Sequence, residues 1–77
     1  MRFEIRWHPA AERQLKDLGW HPSESVDAAV IRFAETQRGD VEYVPPYYRL
    51  RVGMYRVRFT IEHEACAMNV LFVYRAR

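Results

Sequence analysis

Four arginines fall within ten residues at regular spacing, and we call them the arginine strip: Arg49, Arg51, Arg56 and Arg58. One residue separates the members of each pair, so strand alternation places each pair on one face of its strand. Arginine presents a planar, permanently charged fork that suits bidentate contact with phosphate. Like charges opposite each other destabilise a sheet, so the strip predicts an anion site. Among anions, a nucleic-acid backbone best fits a strip of this length.

Aromatic side chains interleave with the arginine strip and would offer stacking surfaces to unpaired bases. They are Tyr47, Tyr48, Tyr55 and Tyr74. In an alternative, structural interpretation, carboxylates relieve the repulsion, either Glu4 on the first strand or the acids of the second helix. Residues 48–77 hold six arginines against two glutamates, so the C-terminal third is the basic part of the chain.

The elements that must position the arginine strip follow from hydrophobic periodicity. Alternation in the first seven residues predicts a strand, and helical spacing after Pro9 and after Pro22, where Val26, Val30 and Phe33 recur on one side, predicts two helices. The predicted elements are strand 2–7, helices 9–18 and 22–38, a loop at 40–46 with a short extended piece at 42–44, and strands 48–52, 54–61 and 66–75. This βααβββ order predicts one α+β domain over 1–77, with a four-stranded, largely antiparallel sheet and both helices on one face.

Length and composition indicate a single domain and exclude several kinds of site. At 77 residues and 49% hydrophobic content, the chain fits one globular domain. Cys66 is the only cysteine, so neither an internal disulfide nor a thiolate metal cage can form, and a reducing cytoplasm is expected. His8, His21 and His63 lack metal-ligand spacing, so we expect no metal and no cofactor. No apolar run is long enough for a membrane helix. Trp20 is expected to plug the helix hairpin.

The twelve residues from Tyr48 to Phe59 resemble the signature hairpin of the RelE/ParE toxin superfamily of type II toxin–antitoxin systems. The first strand with its His8–Ala11 continuation, the helix hairpin and the terminal Val70–Arg75 strand fit the same family. The resemblance implies a RelE-like mRNA interferase: an endoribonuclease that cuts mRNA on the ribosome. It also implies a cognate antitoxin that wraps the helices and sheet in a toxin–antitoxin hetero-oligomer.

Roles implied by the resemblance fall on the arginine strip and the last strand. Arg49 and Arg51 match the basic pair, Arg56 the phosphate-stabilising arginine, and Arg75 or Arg77 the basic residue after the last strand. The candidate catalytic residues are therefore Arg49, Arg51, Arg56, Arg75 and Tyr74. The residues expected to bind RNA are Arg49, Arg51, Arg56, Arg58, Arg77 and Tyr48.

The sequence departs from the family pattern at the positions that would supply the general base. The sequence has Tyr74 or Arg75 where a glycine commonly follows the last strand, and it ends at Arg77, before the tail that carries a tyrosine in active RelE enzymes. Arginine is a poor base because its pKa exceeds about 12. Tyr74 is the candidate base, with Tyr47 and Tyr48 as alternatives, if nearby arginines lower the phenol pKa from about 10. The alternatives are a ParE-like toxin that binds DNA gyrase and a catalytically inactive binding module.

Overall fold

The computed structural model describes residues 1–76, in which two helices pack against one face of a five-stranded sheet. The elements are β1 Glu4–Trp7, α1 Pro9–Asp17, α2 Trp20–Thr36, β2 Asp40–Val44, β3 Tyr47–Val52, β4 Tyr55–Glu62 and β5 Ala67–Arg75. The α+β class, the helix layer and the three C-terminal strands agree with the sequence prediction. No described helix is long and apolar enough to cross a membrane.

The sheet has the order β1-β5-β4-β3-β2. β1 pairs parallel with β5, and the other three pairings are antiparallel. β5 therefore has a strand on each side, which agrees with its continuous apolar sequence. A two-residue turn joins β3 to β4, and its first residue, Gly53, has a φ of +59°, a value that glycine adopts without strain.

The prediction of four strands is wrong, because residues 40–44 form an edge strand that pairs with residues 47–51 of β3. The two prolines and two acids in residues 40–46 suggested a loop. In the structure, Pro45 and Pro46 make the connection to β3, while Asp40 and Glu42 lie within β2 opposite arginines of β3. Edge strands tolerate this polar composition because only one side of the strand pairs.

The helices begin and end at recognisable caps. His8 precedes α1, and its Nδ1 accepts a hydrogen bond from the Ala10 amide at 3.2 Å, while Pro9 occupies the first turn. α2 begins at Trp20 rather than at 22 and ends at Thr36, where Gln37 adopts the left-handed conformation with φ of 58°. The Gln37 side chain donates to the carbonyls of the last helical turn. This polar cap ends the helix two residues before its predicted end at residue 38.

The core lies between the helices and the covered sheet face. Val26, Val30 and Phe33 of α2 contact this face, as their helical spacing predicted. The Phe33 ring packs against the Phe59 ring with centroids 5.0 Å apart, and Phe59 is fully buried in the middle of β4. The opposite sheet face is not covered by any described element, and we call it the open face.

Trp20 does not plug the helix hairpin, which corrects the sequence prediction. Its side chain is 73% exposed, and its ring lies 4.7 Å from the ring of His21. Because α2 begins at Trp20, the indole belongs to the first helical turn and borders a groove between the two helices.

Candidate nucleic-acid interface

The register of β3 and β4 assembles the arginine strip on the open face. Arg49 lies opposite Arg58, and Arg51 lies opposite Arg56. Between these pairs, Leu50 opposite Val57 forms part of the core. Two like-charged pairs therefore stand side by side on neighbouring strands, as strict alternation predicted, and this arrangement does not favour the fold.

Edge strand β2 supplies carboxylates to half of the arginine strip. Glu42 lies opposite Arg49 and accepts hydrogen bonds from its guanidinium, with Nε at 2.9 Å. Asp40 lies opposite Arg51, with the carboxylate 3.6 Å from Nε. The structural interpretation thus holds for two arginines, but with different acids. Glu4, the acid proposed from the sequence, lies on the far edge strand and pairs with Arg6 at 3.1 Å.

The Glu42–Arg49 contact shifts the pKa of both groups and favours the charged form of each. The hydrogen bond from Arg49 and its positive charge lower the pKa of the Glu42 carboxyl below its ordinary value of 4.5. The hydrogen bond to Glu42 is the main cause that raises the pKa of Arg49, and Tyr74 of β5 contributes a smaller part of the shift.

Arg56 has neutral partners. Its Nη1 donates to the backbone carbonyls of Gly53 and Tyr55, both at 2.9 Å. These contacts fold the side chain back toward the β3–β4 turn without neutralising it. Among residues 1–76, Arg56 makes no ion pair, so its charge is available to a bound anion.

Arg58 is surrounded by aromatic rings instead of acceptors. Its guanidinium carbon lies 4.1 Å from the ring centroid of Tyr47, 5.5 Å from that of Phe72 and 5.9 Å from that of Tyr74. The Nε atom is buried and has no hydrogen-bond partner among the described residues. A buried, unpaired nitrogen is costly in a folded protein, so Arg58 is the least satisfied member of the strip.

The remaining predicted site residues divide between the two faces. Tyr74 lies opposite Arg56 on the open face. Arg75 lies opposite Tyr55, so alternation directs it to the other face, away from the arginine strip. Tyr48 also leaves the predicted interface, because its ring stacks on Phe59 with centroids 5.4 Å apart. Arg77 lies outside the described residues.

Tyr47 and Tyr74 are the tyrosines that can stack with a ligand on the open face, since Tyr48 and Tyr55 pack against the core. Phe72, 42% exposed and opposite Arg58, was not predicted as a site residue. Its signal was present in the sequence, because Phe72 and Tyr74 alternate with the buried Val73.

The site can bind an anion and stabilise negative charge, and Tyr74 supplies an ionisable hydroxyl beside the arginines. His63 lies in the turn after β4, at the opposite end of that strand from Arg56. His8 caps α1. Within residues 1–76, no three metal-binding side chains cluster. The chemistry that these side chains support is phosphate binding, and Tyr74, opposite Arg56, is a neighbouring hydroxyl that can exchange a proton.

Two helices packed on one face of a five-stranded sheet define a small α+β class of protein, and comparison with solved structures specifies the fold. The isolated RelE toxin of E. coli superposes with a TM-score of 0.80 at 18% identity, over 100% of this chain and 86% of that chain. The archaeal RelE–RelB complex of Pyrococcus horikoshii gives a TM-score of 0.79 at 18% identity, over 97% of this chain and 96% of that chain. The RelBE2 toxin–antitoxin complex of Mycobacterium tuberculosis gives a TM-score of 0.68 at 25% identity, over 97% of this chain and 92% of that chain.

The chain therefore has the RelE toxin fold over its whole described length. Neither a protein-family model nor a curated protein matches the sequence significantly. The resemblance seen in the hairpin from Tyr48 to Phe59 is confirmed at the level of the fold.

Proposed function

We propose that this protein is the toxin of a type II toxin–antitoxin pair and a RelE-like, metal-independent endoribonuclease that cuts mRNA on the ribosome in the cytoplasm. The observation that carries the proposal is the arginine strip on the open face of a RelE fold, where Arg56 and Arg58 have no carboxylate partner among residues 1–76. Positive charge that is not needed for folding is available for a phosphate backbone.

The proposed reaction is attack of an RNA 2′-hydroxyl on the adjacent phosphate, which expels the 5′-oxygen of the next nucleotide. Arg51 and Arg56, which face each other, would bind the phosphate oxygens as negative charge accumulates there. Tyr74, opposite Arg56, is the proposed proton-transfer group, which would take the proton of the 2′-hydroxyl and return one to the departing 5′-oxygen. Phosphate can bind Arg49 and Arg51 only if their contacts with Glu42 and Asp40 break. These two carboxylates therefore compete with the substrate.

The proposed partner is a cognate antitoxin, as in the RelB-bound complexes to which the chain is similar. The surface we assign to it is the helix groove, a depression of about 550 Å³. It is lined by Trp7, Glu12, Leu15, Lys16, Trp20, Ser23, Glu24 and Asp27. Lys16 pairs with Glu12 at 3.5 Å, whereas Glu24 and Asp27 make no ion pair within residues 1–76. The exposed Trp20 indole beside unpaired carboxylates suits an antitoxin segment that carries apolar and basic side chains.

Controlled expression in bacteria tests the proposed function. Sequencing of mRNA 5′ ends should reveal cuts in phase with the reading frame, and co-expression of the antitoxin from the neighbouring gene should abolish them. Gyrase-linked DNA breaks with intact mRNA would instead identify a ParE-like toxin. Growth arrest with neither lesion, or no arrest, would reject the nuclease. An Arg51→Ala, Arg56→Ala double variant serves as the matched control for expression burden.

A further inference from the structure

The side of α2 that points away from the sheet is exposed, and its charges are divided along the helix. The exposed residues in its middle are Glu24, Ala28, Ile31 and Arg32, whereas Val30, on the opposite side of the helix, belongs to the core. This surface therefore has an apolar centre, with an acid toward the N-terminus of the helix and a base toward its C-terminus. We call it the α2 face.

Glu24 and Arg32 have no charged partner within the molecule. Neither side chain makes an ion pair with any of residues 1–76, although the neighbouring Glu35 pairs with Arg2 at 3.4 Å. Glu24 and Arg32 cannot pair with each other, because eight residues of helix separate them by about 12 Å along the axis. Both charges are therefore available to another molecule.

The spacing of these residues matches a common mode of helix packing. Glu24, Ala28 and Arg32 are four residues apart, so they form one ridge on the surface of the helix. In the commonest class of helix pair, ridges of this kind from both helices run side by side, and the axes cross at about 50°. If a second α2 packs in this way in the antiparallel direction, with a two-fold axis at Ala28, Glu24 of each copy faces Arg32 of the other.

The centre of the α2 face also suits a two-fold axis. A symmetric dimer needs a patch that is complementary to itself. Ala28 has a small side chain, which allows two helices to approach closely at the axis, and Ile31, one turn further on and 41% exposed, adds apolar surface on both sides of it. The α2 face thus offers a second copy an apolar centre and two pairs of opposite charges.

We propose that two copies of this chain associate through the α2 face as an antiparallel, two-fold symmetric helix pair centred on Ala28. The inference concerns the chain alone and does not rest on the proposed function. One helix pair buries less surface than the interface of a permanent dimer, so association should be weak and should depend on concentration. The arginine strip lies on the far side of the sheet and stays accessible in both copies. Glu24 also borders the helix groove, so an antitoxin there would compete with the second copy for it.

Charge reversal, followed by sedimentation velocity over a wide range of protein concentration, tests the proposal. The average mass of the wild-type chain should rise from that of one chain toward that of two. Glu24→Arg and Arg32→Glu each place like charges opposite each other at both symmetry-related contacts, so each should weaken association by about tenfold or more. The combined Glu24→Arg, Arg32→Glu variant restores opposite charges and should dimerise again.

The two single variants also separate the specific contact from net charge. Each reversal changes the formal net charge by two, so Glu24→Arg raises it from +2 to +4 and Arg32→Glu lowers it from +2 to 0. General repulsion between copies would therefore weaken the first variant and strengthen the second. Glu64→Arg makes the same change as Glu24→Arg in the turn after β4 and is the matched control, which should dimerise like wild type. Circular dichroism melts check that all variants are folded.

A cysteine at the axis gives an independent measurement. In an Ala28→Cys, Cys66→Ser variant, the introduced thiols of two copies should lie near each other and form an intermolecular disulfide on mild oxidation, which requires Cβ atoms about 3.5–4.5 Å apart. The wild-type chain is the control, because its exposed Cys66 lies in the turn before β5, away from the α2 face, and should crosslink far more slowly.

A wild-type chain that stays monomeric at all concentrations would overturn the dimer while leaving the proposed nuclease and its antitoxin untouched. Dimers that persist in both single variants, or that the combined variant does not restore, would assign self-association to another surface and also overturn the proposal. A monomer whose affinity for the antitoxin falls in Arg32→Glu would show that the antitoxin, instead of a second copy, covers the α2 face.

Discussion

Glu42 and Arg49 face each other across β2 and β3, and the carboxylate occupies the fork that a phosphate would need. Replacing the carboxylate by the amide in Glu42→Gln removes the competing charge, so RNA affinity should rise. The salt dependence of binding should steepen by about 0.7 in the log–log slope if one more phosphate contact forms. Asp17→Asn makes the same charge change at the end of α1, away from the site, and is the control for net charge.

The same pair predicts how stability depends on pH. Because Arg49 lowers the pKa of Glu42 in the folded state, the stabilisation is complete above the unfolded-state value of 4.5 and is lost as pH falls through the lower folded-state value. Wild type should therefore exceed Glu42→Gln in stability near pH 6, and the difference should close on acidification. Urea unfolding at a series of pH values measures it, and a difference that stays constant down to about pH 3 would contradict the assignment.

Replacement of each member of the Arg51–Arg56 pair should have a different effect on stability. Arg56→Ala relieves repulsion and removes only contacts to backbone carbonyls, so the free energy of unfolding should change by less than about 0.5 kcal/mol. Arg51→Ala leaves Asp40 without its partner and should be the less stable variant. Both should bind RNA more weakly. An Arg56→Ala protein that is destabilised yet binds RNA with unchanged affinity and salt slope would refute its role at the interface.

Two phenylalanines on opposite sheet faces should respond differently to truncation. Phe59 is fully buried, so Phe59→Ala should lose about 3–5 kcal/mol, which is enough to unfold much of a domain this small. Phe72 is 42% exposed on the open face, so Phe72→Ala should unfold near the wild-type temperature. Circular dichroism melts compare the two, and similar losses in both would show that the open face also contributes to the core.

Trp20 should matter to the partner more than to the fold. Because its side chain is 73% exposed, Trp20→Ala should leave the melting temperature of the isolated chain nearly unchanged. If the antitoxin occupies the helix groove, the variant should dissociate faster from it, as measured by surface plasmon resonance. A much lower melting temperature together with an unchanged dissociation rate would show that Trp20 stabilises the fold instead of binding the antitoxin.

Much of the site followed from periodicity alone. Alternation on both sides of Gly53 placed the arginine strip on the open face, and helical spacing predicted Val26, Val30 and Phe33 in the core. Alternation also placed Tyr48 with Leu50 on the core side, so its assignment to RNA rested on residue type and conflicted with the pattern. Arg75 leaves the site for the same reason, since it is one residue from Tyr74 in β5.

Other features could not be predicted because they depend on pairing between distant segments. The carboxylates of β2 meet arginines only because residues 40–44 pair with β3 in one particular register. The pairing of β4 with β5 has a bulge at Arg58, which is invisible in β4, where alternation is unbroken, because it arises from the extra residue Leu71 in β5. The exposure of Trp20 depends on where α2 begins, which the prolines and glycines nearby did not fix.

The parallel pairing of β1 with β5 determines the order in which the molecule can be completed during its own synthesis. Glu4 of β1 and Ala67 of β5 are register partners, and β5 is the only neighbour of β1 in the sheet. β1 therefore cannot pair until β5 has been synthesised. β5 also carries Phe72 and Tyr74. A nascent chain in which only the arginine strip has left the ribosomal tunnel still lacks β5, and with it part of the core and the two aromatic side chains of the site. RNA binding should therefore appear only after β5 has left the tunnel.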